Sequence, residues 1–112
     1  MRIYHNPRCR KSRETLQVIQ DAGIEPEIIE YLKDTPSAEE LADLISKLGI
    51  KPYELLRKSE VDFKDLFKGK ELPDAKWINI MVKYPKLIER PIVVKGDEAL
   101  LGRPPENVKK FL

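Results

Sequence analysis

The sequence predicts an α/β fold in which a strand, a helix and a second strand come first, a run of helices follows, and a hairpin with a closing helix comes last. Three observations carry this expectation. Short runs rich in Ile, Val and Tyr, bounded by turn residues, lie near the two ends of the chain. Between Ser37 and Pro85 the apolar residues recur at helical spacing instead. Gly96-Asp97 stands between two apolar runs, a two-residue hairpin signal.

Arg2 to His5 suits a first strand, and Asn6-Pro7 reads as a turn because the residue before proline is driven away from the helical region. Cys9 follows at once. Leu16, Ile19 and Gly23, with Val18 and Ala22 alongside, then place a first helix starting at or just after the cysteine and stopping at Gly23. Pro26 to Leu32 suits a second strand, closed by the turn from Asp34 to Pro36. Ser37 with Glu40 three residues on makes a capping box, and Leu41, Leu44, Ile45 and Leu48 give that helix its apolar stripe up to Gly49. Pro52 opens a short helix carrying Leu55 and Leu56. Ser59 to Leu72 is charged and reads as irregular, anchored by Phe63, Leu66 and Phe67. Pro73 is expected as the first residue of a helix with Trp77, Ile78, Met81, Val82 and Tyr84, ended by Pro85. Ile92 to Lys95 and Ala99 to Leu101 form the hairpin, and Pro104-Pro105 starts a last helix burying Val108, Phe111 and Leu112. This order is that of a thioredoxin-like fold, β-α-β then β-β-α, with a helical subdomain inserted at about residues 37–88 of a single domain covering 1–112.

Composition narrows the function classes. A 41% hydrophobic share supports a packed core, and 36% charged residues a solvated surface. No run approaches the roughly 20 apolar residues of a membrane span, and the start of the chain lacks a signal-peptide pattern, so a cytoplasmic, monomeric protein without a membrane partner is expected. Twenty-one Lys and Arg against 19 Asp and Glu leave a net charge of +2, too little to argue for nucleic acid. The single cysteine cannot form an internal disulfide, so redox chemistry there needs an external thiol.

That cysteine is the residue with chemical promise. Arg8, Arg10, Lys11 and Arg13 flank Cys9 within six residues, and the predicted helix N-terminus offers free N–H groups and a favourable dipole. All of these favour thiolate over thiol, and thiolate is the nucleophile. The same positive field would hold a tetrahedral oxyanion against the sulfur. Other cysteine chemistries fail on counting. Position 12 is Ser12, so no Cys-x-x-Cys dithiol exists, and Thr15 stands where a Cys-x5-Arg phosphatase loop needs arginine. One Cys and one His fall short of the several Cys and His ligands typical of a zinc site. His5, four residues upstream on a strand end, is poorly placed as a protease base and is expected to hydrogen-bond or pack there, supporting Cys9 indirectly.

The segment His5-Asn6-Pro7-Arg8-Cys9-Arg10-Lys11-Ser12-Arg13 resembles the His-Asn-Pro-x-Cys-x-x-Ser-Arg segment of the ArsC-type arsenate reductases. Leu55-Leu56-Arg57-Lys58, Arg90-Pro91-Ile92-Val93-Val94 and Gly102-Arg103-Pro104 are similar to three later segments of that family, in the same order. The resemblance spans essentially the whole chain. It implies an arsenate reductase in which Cys9 is the nucleophile and Arg57, Arg90 and Arg103 clamp the oxyanion, with His5, Ser12, Arg13 and Pro91 in support. Pro91 would correspond to the cis-proline that faces the thiol in thioredoxin-like folds. Glutathione is the implied thiol co-substrate, glutaredoxin or thioredoxin the implied protein partner, and no tightly bound cofactor or metal is implied. The fold also includes glutathione-dependent thiol oxidoreductases and Spx-type regulators that bind RNA polymerase, although the latter use a Cys-x-x-Cys pair that Ser12 breaks. One departure stands out: the family often has Gly-Thr after the cysteine, where this chain has Arg10-Lys11.

Overall fold

The computed structural model describes residues 1–112 and divides them into two compact units, one formed by 1–34 with 90–112 and the other by 35–89.

The first unit is built on a four-stranded sheet. Strand β1 (Arg2–His5) leads into helix α1 (Arg10–Asp21) and strand β2 (Glu27–Glu30), and the chain returns as β3 (Ile92–Lys95) and β4 (Glu98–Leu101). The sheet order is β2-β1-β3-β4. β1 pairs in parallel with β2, which requires the α1 crossover, and antiparallel with β3. Its central place explains why Ile3, Tyr4 and His5 are all buried although adjacent strand residues face opposite sides. Edge strand β2 is shorter than Pro26 to Leu32 and leaves Ile28 exposed. The β3–β4 turn has a positive φ at Gly96 alone, the type II′ pattern that only glycine adopts freely at that position. Ile3 and Val93 pack with Ile19 of α1 and with Val108 and Phe111 of the closing segment. That segment, Pro105–Phe111, is a 3-10 helix. Leu112 lies beyond its end and is exposed, contrary to the periodicity, because the tighter 3-10 turn carries only positions 105, 108 and 111 to the core.

The second unit is helical. In α2 (Ala38–Leu48), the Ser37 hydroxyl accepts the Glu40 N–H, and Leu41, Leu44 and Ile45 are buried. A 3-10 turn, Pro52–Leu55, buries Leu55. The stretch from Ser59 to Leu72 is not wholly irregular: it contains a short helix, α3 (Val61–Leu66), which turns Phe63 inward. Leu66 is exposed rather than an anchor, since a six-residue helix presents one side and Phe63 occupies it. Helix α4 (Asp74–Lys83) buries Trp77 and Met81; Pro73 is its cap, one position outside the helix, with extended ψ. Pro85 opens a further 3-10 turn, Pro85–Leu87. Tyr53, Phe63, Phe67, Trp77 and Tyr84 form a chain of tilted and edge-on ring contacts. Leu56 and Ile88 are bridged antiparallel, and the flanking bonds, Arg57 N–H to Leu87 O and Glu89 N–H to Leu55 O, tie the middle of the unit to its last residues.

Candidate active site

Cys9 sits at the junction of a tight turn and a helix. Its N–H donates to the Asn6 carbonyl at 3.0 Å, and the Arg8 N–H donates to the Asn6 side-chain oxygen at 3.0 Å. Pro7 sets the turn and leaves a free carbonyl, which accepts from the Arg13 guanidinium at 3.0 Å. Cys9 itself is the N-cap of α1, with extended dihedrals (φ −93°, ψ 122°), and its carbonyl accepts the Arg13 N–H. The sulfur therefore stands over the unpaired N–H groups of the first helical turn.

Below this turn lies a buried polar pair. His5 Nδ1 and Ser12 Oγ are 2.6 Å apart, and the same hydroxyl accepts the Asn6 N–H at 3.1 Å. Ser12 is fully buried and His5 nearly so. Burial lowers the His5 pKa, the nearby Glu30 opposes that and Arg13 adds to it, so the ring stays neutral at pH 7. The bonds connect the end of β1 to the first turn of α1, fixing the Cys9 loop between them.

Two arginines from the far end of the sequence reach the sulfur. Arg103 Nη1 is 4.0 Å from Cys9 Sγ, at the outer limit for an N–H···S contact, and 3.3 Å from the Arg90 carbonyl oxygen. Arg90 precedes β3 and Arg103 follows β4, so the hairpin brings both to the Cys9 end of the sheet. The Arg90-Pro91 and Arg103-Pro104 peptide bonds are both cis, and the Gly102 N–H donates to the Pro91 carbonyl. No carboxylate pairs with Arg90, and its buried Nε has no hydrogen-bond partner.

The thiol responds to this setting. Partial burial pushes the Cys9 pKa up, but the N–H groups of Ser12 and Lys11 and the Arg90 guanidinium push it down further, leaving it below its ordinary value. The cations adjacent in sequence play a smaller part than their number suggests. Arg10 turns outward to pair with Glu14 at 2.9 Å, Arg8 is exposed, and Arg13 is spent on the Pro7 carbonyl. Lys11 acts on the sulfur through its backbone. The Arg10-Lys11 departure thus leaves the peptide N–H groups in place beneath the thiol.

The sequence matches the model of the ArsC family over residues 4–111. This chain belongs to the ArsC family. Among its ArsC relatives, the arsenate reductase of Haemophilus influenzae is 42% identical, the match covering 98% of this chain and 97% of that one. The uncharacterized protein YfgD of Escherichia coli is 46% identical over 100% of this chain and 96% of its own length. A solved structure, the arsenate reductase from Vibrio cholerae, superposes with a TM-score of 0.95 at 46% identity, covering 99% of this chain and 96% of that one. The ArsC fold is thioredoxin-like, as the element order predicts.

Within this ArsC chain, Cys9, Arg90, Arg103, His5, Ser12, Arg13 and Pro91 all belong to the first unit; all but Pro91 meet at the Cys9 turn, while the Pro91 carbonyl accepts the Gly102 N–H. Arg57 belongs to the helical unit, where its guanidinium pairs with Glu60 and lies 3.6 Å from Glu89. Sequence reasoning missed Asn6, Thr15 and Asn107, whose side chains hold the backbone on which the site is built. Asn6-Pro7 signalled a turn, and a threonine on the apolar side of a helix could have drawn notice. Nothing in the sequence marked Asn107.

Proposed function

We propose that this protein reduces arsenate to arsenite, with Cys9 as nucleophile and an external thiol as reductant. The observation that supports this most is the Cys9 sulfur held below its ordinary pKa at a helix N-terminus, with Arg90 and Arg103 beside it. Thiolate and guanidinium together suit an oxyanion electrophile: arginine neutralises the anion's charge, and the sulfur supplies the electron pair.

In the first step the Cys9 thiolate attacks arsenic(V), forming an S–As bond as a protonated arsenate oxygen leaves as water. A glutathione thiolate then attacks the Cys9 sulfur. The S–As bond breaks with its electron pair passing to arsenic, so arsenic is reduced by two electrons while the two sulfurs become a mixed disulfide. Arsenite departs. Glutaredoxin or thioredoxin regenerates the Cys9 thiol by exchange, which the single cysteine cannot do alone. Arg90 and Arg103 bind the oxyanion and the charge that develops as the bonds change. His5 and Ser12 hold the loop that presents the sulfur.

The test is arsenate-dependent NADPH consumption in a system containing glutathione, glutaredoxin and glutathione reductase. Turnover that disappears in Cys9→Ser is expected. An absence of arsenate-dependent turnover with glutathione and with thioredoxin would remove the proposal.

A further inference from the structure

Four consecutive carbonyl groups, from Leu101 to Pro104, each receive a hydrogen bond from outside the segment. The Asn107 amide spends both of its N–H groups there, on the Leu101 and Arg103 oxygens, each at 3.2 Å. Its backbone N–H donates to the Pro104 oxygen at 3.0 Å. The Thr15 hydroxyl lies 3.1 Å from the Gly102 oxygen and 2.9 Å from the Lys11 oxygen within its own helix. Having a single proton, it shares that proton between the two carbonyls, joining the first turns of α1 to the loop that follows β4.

This loop also tolerates no slack. A Cβ added to Gly102 would stand 2.6 and 2.7 Å from the Thr15 side chain and 2.8 Å from Pro91 Cγ. Thr15 is fully buried. The Arg103 backbone, immediately after Gly102, is held at its carbonyl by Asn107, and its guanidinium stands against Cys9 from that base.

We propose that Asn107 and Thr15 are positioning residues for Arg103: they clamp the 101–104 loop so that the Arg103 charge stays at the Cys9 sulfur. The inference rests on the reading of Cys9 and Arg103 as the anion site, and adds the residues through which Arg103 is aimed. Neither touches the reacting atoms. Loss of either lets the loop shift and the guanidinium drift, so that an anionic reagent loses its attraction while the thiol itself remains.

The test reads the charge at the sulfur without using arsenate. Cys9 is alkylated by iodoacetate, which is anionic, and by iodoacetamide, which is neutral, at one pH. The ratio of the two rates cancels the thiolate fraction and reports the local positive field. Removing Arg103 should lower the ratio by about fivefold, the Coulomb attraction of two unit charges about 4 Å apart in water. Asn107→Ala is expected to lower it by about half of that in logarithmic terms, with Asn107→Gln recovering part, and to have no further effect in an Arg103→Ala background. Thr15→Val, which keeps the shape and removes the proton, should behave like Asn107→Ala and serves if that variant does not fold. A ratio unchanged from the parent in the folded variants, or an equal fall with and without Arg103, overturns the inference. Because no arsenate is present, that result is separable from a failure of arsenate turnover.

Discussion

Arg103 Nη1 stands 4.0 Å from the Cys9 sulfur and 3.3 Å from the Arg90 carbonyl oxygen. One guanidinium thus ties the residue before β3 to the start of α1, joining elements that lie at opposite ends of the sequence. The chemistry of this thiol is set by the closing hairpin as much as by its own neighbours, and several measurable consequences follow from that arrangement.

Arg90 acts on the sulfur electrostatically, without a carboxylate partner of its own. Arg90→Ala should lower arsenate kcat/KM by at least about tenfold, equivalent to about 1.4 kcal/mol of transition-state stabilisation. Its unfolding free energy should change by less than about 1 kcal/mol, since no salt bridge to a carboxylate is broken. Parallel kinetics and urea titration check this; a loss of stability as large as the loss of rate would contradict it.

Ser12 is different, because it carries buried hydrogen bonds. Ser12→Ala leaves the Asn6 N–H and one His5 nitrogen without a partner in a site closed to water. A cost of about 1–3 kcal/mol is expected from each buried group so orphaned, less whatever a trapped water restores. The urea midpoint should fall accordingly.

His5 is the only histidine, and burial lowers its pKa below the ordinary 6.5. The unfolded chain therefore binds a proton at a pH where the folded one does not, and stability rises with pH in that window. The contribution is intact above about 6.5 and is lost as pH falls from there to the lower folded value. Unfolding followed between pH 7.5 and 5 should show this slope in the parent and a reduced slope in His5→Gln.

Gly102→Ala forces a methyl group against Thr15 and Pro91. Overpacking of this kind costs about 1–3 kcal/mol. Thermal unfolding should register the loss, and the iodoacetate preference of Cys9 should fall with it as the loop carrying Arg103 is displaced.

Much of this fold was legible because its elements are punctuated by residues with one physical meaning. Ser37 with Glu40 marks a helix start, Gly96-Asp97 a hairpin, and Cys9 after Asn6-Pro7 a turn into a helix; all three stand as the sequence predicts. The irregular reading of Ser59 to Leu72 missed α3 because a six-residue helix is too short to display a period. The closing helix was misjudged in type, and Leu112 with it, because α and 3-10 spacing diverge by less than a residue per turn. At the site, the cluster of cations that drew notice to Cys9 in the sequence is largely turned to other partners in the structure. Arg10 faces Glu14 instead, and the guanidinium groups that stand at the sulfur are those of Arg90 and Arg103, whose positions depend on sheet pairing that no local pattern encodes.

The decisive property is the ionisation of one sulfur. Titrating Cys9 by thiolate absorbance near 240 nm, in the parent and in Arg90→Ala, measures it directly. With the helix N–H groups and Arg90 beside it, the parent is expected to titrate below the ordinary thiol value and the variant above the parent. A parent thiol titrating at or above that ordinary value, unmoved by loss of Arg90, would contradict it.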